Sequence, residues 1–398
     1  MKVLIYTASS LTNPQFGIQM EHAISYAKQG HEVVFCHCAG VMKACTENRN
    51  QNKAVCCACK RGFKAGLKNL PNNIRIVGLK SEMSDNNFKW HDFNSVKDIK
   101  NYKYKGVDVG FSVMSYIISM SRNPKPAISE AFLNYINRTI GECEHLIDAA
   151  ETIVKKETPD LIIFFNGRLF DTKPFFNLAI NNKINYIATE NIGGVRVNEE
   201  YKMVDFKNAI PHDSLETYKR CLESWERSRR SEAERIKIGK DFYDRRRSGK
   251  KAGDRVYTIS QKEGKLPDSF DPNKNNIVVF TSSEDEFSAV SSEVDSLYMF
   301  SSQYDGIKYI SENINDDDYH IIVRIHPNMK GLDVDYHKQL YKLCELKNVT
   351  VVPPEEEVST YALIDAANSV VVFGSTVGAE SLYCGKPVVL LGFAAYYN

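Results

Sequence analysis

The sequence carries almost no excess charge: 51 Lys and Arg stand against 50 Asp and Glu, a formal net charge of +1. That balance removes any composition-level argument for a nucleic-acid partner. No apolar run approaches the ~20 residues of a membrane-spanning helix. The opening "MKVLIYTASS" has one lysine and returns to polarity too soon for a secretory signal, so it reads as a first strand. No GxGxxG follows that strand, no GxxxxGK[ST] occurs anywhere, and no GxSxG elbow is present. Dinucleotide, P-loop and elbow-type hydrolase readings therefore lose their main support. A cytoplasmic protein with reduced thiols is expected.

What is present is an alternation of strands and helices. "KVLIYTA", an amphipathic stretch ending at Gly30, and "GHEVVFCHC" give a βαβ opening and hence a parallel sheet. The rhythm returns in a long helix from "ISEAFLNYINRTIGECEHLIDAAETIVKKETP", the buried strand "DLIIFF", the helix "TKPFFNLAINNK" and the strand "INYIATE". A second series starts at "NNIVVFTSS" and continues through the strands "YHIIVRIHPN", "VTVVPP", "SVVVFGS" and "KPVVLLG", each separated by a helical pattern. For 398 residues this predicts an α/β protein of two Rossmann-like domains facing a cleft at their strand C-termini. Residues 1–207 form the first domain, 208–255 a charged helical linker or insertion, and 256–398 the second domain. A solvated helix is the main reading of the charged segment, and peripheral contact with a membrane surface is the second.

Six of the ten cysteines crowd into residues 36–60. Cys38, Cys45, Cys56 and Cys59 have the spacing C-x6-C-x10-C-x2-C, and a C-x2-C pair is a recurring half-site for tetrahedral metal. A small Cys-rich knuckle in the N-terminal domain is therefore expected, held by structural zinc on base rates, with an iron–sulfur cluster accepting the same four thiolates. Cys36 and Cys57 are spare thiols or alternative ligands. Cys143, Cys221, Cys344 and Cys384 read as small apolar fillers.

The second domain concentrates polar residues at strand ends. "FGSTVGAE" puts Gly374, Ser375 and Thr376 at a strand–helix junction that suits a phosphate, with Glu380 within reach of ribose hydroxyls. His326 ends a buried strand beside Pro327, and Ser282 and Ser283 end another. Taken in order, "NGR" (Asn166 to Arg168), "ATEN" (Ala188 to Asn191), "FTSSEDEF", "RIHPN" and "FGSTVGAESLYCGKPVV" resemble bacterial capsular polysaccharide biosynthesis glycosyltransferases of the GT-B fold.

That resemblance implies transfer of a sugar from a nucleotide-sugar donor to a surface polysaccharide or its lipid-linked precursor, with no metal at the reaction centre. The second domain would hold the donor through Ser282, Ser283, Arg324, His326, Ser375, Thr376 and Glu380, with His326 stabilising the leaving phosphate. The first would hold the acceptor, with Glu190 as base and Asn166 and Arg168 binding substrate. GT-B chains usually continue with a helix beyond a final strand such as "KPVVLLG", so the end reads as truncated. The enzyme would be cytoplasmic, or peripheral at the inner face of the membrane. A nucleotide-sugar epimerase of the same architecture and a non-catalytic metal- or redox-sensing module are the alternatives.

Overall fold

The computed structural model describes residues 1–12, 14–80, 89–191, 203–250 and 257–396. The chain divides into two compact units, the first running to His212 and the second from Asp213, with Arg122–Pro124 counted with the second.

In the first unit, β1 (Lys2–Thr7), β2 (Glu32–His37), β3 (Arg75–Gly78), β4 (Leu161–Phe165), β5 (Asn185–Asn191) and β6 (Met203–Lys207) form one sheet in the order β3-β2-β1-β4-β5-β6. Every pairing is parallel except that of β5 with β6. The helices are α1 (Gln15–Lys28), α2 (Lys53–Gly66), α3 (Val96–Lys100), α4 (Val109–Ser121), α5 (Glu130–Glu157) and α6 (Lys173–Asn181). Side-chain alternation sends Leu4, Tyr6, Val34, Ile162 and Phe164 to one face, where Leu146 of α5 and Phe175 of α6 meet them. Val3, Ile5, Val33, Phe35 and Ile163 go to the other face, against Ala23 of α1 and Phe63 of α2. A strand buried on both faces reads as a continuous apolar run, which is why β1, β2 and β4 stand out in the sequence.

The cysteine-rich stretch departs from expectation. It is not one closed knuckle: residues 38–52 are a loop, and from Lys53 the chain is a 14-residue helix capped by the Asn52 side chain on Ala54 N–H at 2.9 Å. Cys56 and Cys59 lie one turn apart on that helix. The polar loop orders through carboxylates: Glu142 accepts from Lys43 N–H at 2.6 Å, and the buried Asp171 accepts from the Thr46 amide and hydroxyl at 3.1 and 2.6 Å. Among the described residues, no three His, Cys, Asp or Glu side chains stand close enough to share a metal ion as placed. Cys143 is buried, whereas Cys221 and Cys344 are exposed rather than core fillers.

The second unit begins with α7 (Ser214–Glu226) and α8 (Glu232–Arg247), neither of which buries a residue. The charged segment is therefore helical and solvated as expected, but it is no separate body. Arg246 pairs with Glu380 at 3.0 Å, Arg247 pairs with Asp365, and Tyr243 stacks on Tyr383 with ring centroids 4.6 Å apart. Beyond it, β7 (Asn275–Phe280), β8 (Tyr319–Arg324), β9 (Val349–Val352), β10 (Ser369–Val372) and β11 (Val388–Leu390) make an all-parallel sheet in the order β11-β10-β7-β8-β9. Interspersed are α9 (Glu284–Phe287), α10 (Ser292–Asp295), α11 (Gln303–Glu312), α12 (Asp335–Tyr341), α13 (Thr360–Ala366) and α14 (Val377–Tyr383). Val279, Ile321 and Val323 pack under α11 and α12, while Val278, Ile322 and Val372 pack on α13. The strand order reverses at β7, so the ends of β10, β7 and β8 lie side by side at the position where open sheets bind ligands. Among the described residues, no helix is long and apolar enough to cross a membrane.

Candidate functional site

The geometry of the second unit's edge starts from β7. Thr281 accepts the His326 amide on its hydroxyl at 3.0 Å, which ties the end of β7 to the end of β8. Gln303 then clamps Ser282 through both backbone groups, accepting from its N–H at 2.7 Å and donating to its carbonyl at 2.9 Å. The Ser282 hydroxyl, buried at 5% exposure, has no hydrogen-bond partner among the described residues. An orphaned buried hydroxyl costs free energy, about 1–3 kcal/mol, unless something else meets it.

His326 is held in one tautomer. Its Nδ1 accepts from the Asn328 backbone N–H at 3.1 Å, so the ring proton sits on Nε2, which has no partner among the described residues. Burial, with Arg122 and Arg324 nearby, lowers its pKa to about 4, against a smaller opposing influence of Asp285. The imidazole is therefore neutral at physiological pH and offers a single N–H. Tyr257 packs against the ring edge-on at 4.9 Å.

Arg122 is part of this edge, and sequence reasoning misses it. Its guanidinium donates to Asp285 at 3.1 Å, to the Asn328 carbonyl at 2.9 Å and to the Ser283 hydroxyl at 2.6 Å. It thereby fixes the loops after β7 and β8 to each other. No sequence signal could have placed it, because it lies 161 to 206 residues upstream of its partners in a segment without a motif.

Other residues expected to bind the donor have partners within the protein. Arg324, 2% exposed, donates to the backbone carbonyls of Pro353 and Glu356, so it braces the loop after β9 instead of facing a ligand. Glu380 is buried and accepts from Tyr361 Oη at 2.5 Å and from Arg246 at 3.0 Å. Ser375 turns its hydroxyl back to Val377 N–H at 3.4 Å, while Thr376 is exposed and caps nothing. Gly374 sits at φ 127°, where a Cβ would meet the Phe393 carbonyl at 3.0 Å, so this turn requires glycine.

In the first unit, the polar ends of β4 and β5 converge. Asn166 takes left-handed backbone, φ 57°, followed by Gly167 at 80°. Its side-chain oxygen accepts from Arg168 N–H at 3.0 Å, and its Nδ2 donates to Glu190. Arg168, 8% exposed, donates to Ser119 Oγ at 2.9 Å. Asn166, Arg168 and Glu190 thus form one neighbourhood. Cys38, Cys45, Cys56 and Cys59 all line one small cavity near the ends of β1 and β2, without standing close enough as placed to share an ion, while Cys36 and Cys57 do not line it.

Residues 267–398 match the protein family described as capsule polysaccharide biosynthesis protein. The match spans β7 to β11 and includes the His326 edge; the final third of this chain carries that family's sequence pattern. Among solved structures, the chain is similar to the KpsC beta Kdo 2,4 transferase of Thermosulfurimonas dismutans at 16% identity and a TM-score of 0.41, covering 61% of this chain and 72% of that one. The KpsC beta Kdo 2,7 transferase of the same organism gives 16%, 0.37, 62% and 70%. The UDP-GlcNAc 2-epimerase of Neisseria meningitidis gives 12%, 0.25, 98% and 82%. No curated protein sequence matches the chain.

Proposed function

We propose that this protein is a glycosyltransferase of capsular polysaccharide synthesis that takes its sugar from a nucleotide-activated donor. The observation that carries this reading is His326: a neutral imidazole with one unpartnered N–H, at the end of β8, inside the segment that matches the capsule family. In glycosyl transfer the bond between the anomeric carbon and the donor phosphate breaks, and negative charge grows on that phosphate. Fixed N–H and O–H donors aimed at that charge stabilise the transition state more than the ground state. His326 Nε2–H and the orphaned Ser282 hydroxyl supply such donors, and Arg122, spent on fixing both loops, keeps them from drifting. Neutrality is an advantage here, because a neutral ring donates without a proton equilibrium near physiological pH.

Glu190 fits the role of base. Its carboxylate would take the proton from an acceptor hydroxyl as that oxygen bonds to the anomeric carbon, with Asn166 orienting it. The acceptor is a polysaccharide or a lipid-linked glycan. Work in the cytoplasm, peripheral to the inner face of the membrane, fits both the donor and the basic α7–α8 segment.

The test is thermal stabilisation of the full chain by UDP, CDP, CMP and GDP, with His326→Ala alongside. One nucleotide should stabilise the native chain, and the variant should bind it about 10- to 100-fold more weakly, the range for a hydrogen bond to a charged group. Incubation with the corresponding nucleotide-sugar should then release free sugar. Failure of every nucleotide would sink the proposal, and return of an isomerised donor would replace it with the epimerase reading.

A further inference from the structure

Four sulfurs and one cavity remain outside this function. Cys38 follows β2, Cys45 lies in the loop, and Cys56 and Cys59 project from one face of α2; all four line a cavity of about 30 Å³ together with Ala8 and Ser9, which follow β1. The surroundings of the sulfurs are of one kind. Cys59 Sγ faces the Ser10 N–H at 3.4 Å and the Ser10 hydroxyl at 3.7 Å, and Cys56 Sγ accepts from Asn48 Nδ2 at 3.2 Å. The backbone amides of Gly40 and Met42 are directed at the Cys38 sulfur, and those of Glu47 and Asn48 at Cys45. Every one of the four sulfurs is thus met by N–H donors. Donors around sulfur are the kind of outer shell that orients metal-bound cysteine. Lys60 lines the cavity as well, its ammonium so close over Gly40 that a Cβ there would approach it to 2.8 Å.

We propose that Cys38, Cys45, Cys56 and Cys59 bind a single zinc ion, which links the loop after β2 to helix α2. Spacing alone leaves the ligand set open among six cysteines; the cavity selects four and excludes Cys36, inside β2, and Cys57, exposed on the far side of α2. Spacing also leaves zinc and an iron–sulfur cluster open. The cavity is room for one ion, whereas a four-iron cluster brings eight inorganic atoms. As placed, no three of the sulfurs share an ion-binding point, so binding closes the set by side-chain rotation around the cavity. Four thiolates leave no open coordination position, so the role is structural.

The experiment uses the full chain purified under reducing conditions. Zinc is counted by elemental mass spectrometry, and the metal is then exchanged for cobalt(II), whose thiolate charge-transfer and d–d bands report tetrahedral sulfur coordination. The native chain should hold about one zinc per molecule. Cys57→Ser should keep it, and Cys45→Ser and Cys59→Ser should each weaken retention by tenfold or more. Should those two variants fail to fold, the native chain decides: zinc removal by a chelator should lower its melting temperature, and zinc alone should restore it. Zinc well below one equivalent, an iron–sulfur absorbance, equal loss in Cys57→Ser, or a melting temperature indifferent to zinc would each overturn the assignment.

Discussion

After β8 the chain turns through Pro327 and leaves an imidazole offering one N–H. After β4 it turns through the left-handed Asn166–Gly167 pair and leaves a carboxamide holding a carboxylate. The two sheets are similar in construction, each with parallel strands around a reversal in strand order, yet one edge presents donors and the other an acceptor of protons. The scaffold places these residues at strand ends: His326 and Asn166 just past β8 and β4, and Glu190 as the penultimate residue of β5. Under the proposed function, the His326 edge would meet the donor phosphate and Glu190 the acceptor hydroxyl.

The comparison breaks most visibly at Glu190. Glu190→Gln keeps the size and the contact with Asn166, and it should lower turnover by about 10²- to 10⁴-fold, the usual contribution of a general base. Nucleotide affinity should stay unchanged; a parallel loss of both would mean that the two edges do not divide the work. A second substitution sharpens what the donor edge contains. Arg246→Ala strips Glu380 of its ion-pair partner and leaves a buried carboxylate on Tyr361 alone, so the chain should lose ~3 kcal/mol in urea unfolding. If stability is intact and nucleotide binding falls instead, Glu380 belongs to the ligand after all.

The smallest effect is one of pH. His326 titrates at about 4 in the folded chain, against its ordinary value of ~6.5 in the unfolded chain. Between those values the unfolded state binds more protons, so this residue makes stability fall as pH drops from ~6.5 towards 4 and leaves it unchanged above that window. Urea midpoints of His326→Gln should decline less steeply than those of the native chain below pH 6.5 and run parallel above it. Parallel curves throughout would mean that the ring is not held neutral.

Much of the fold is legible because buried parallel strands are long apolar runs, and "KVLIYT", "LIIFF" and "YHIIVR" stand out from polar surroundings. Strand-end residues follow once the strands are placed, which is how His326, Ser282 and the Asn166–Glu190 pair are found. Residues fixed by distant chain are not legible. Arg122 reaches the edge from far upstream, and the orientations of Arg324 and Glu380 depend on carbonyls and rings that local sequence does not specify. Helix α2 is hidden for another reason: its cysteines draw attention to a loop, although Asn52 is a good helix cap and Phe63 a buried anchor.

The register of β1 has a consequence for how the chain is made. Val3, Leu4 and Ile5 pair on one side with β2, about thirty residues on, and on the other with Leu161, Ile162 and Ile163 of β4. At ribosomal speeds of ~5–20 residues per second, the strand waits on the order of ten seconds for that second neighbour. During that interval one side of β1 is an unpaired, strongly apolar edge, the sort of surface that recruits chaperones or aggregates. Expression yield should therefore depend more on translation rate and temperature than the equilibrium stability of the finished fold would suggest.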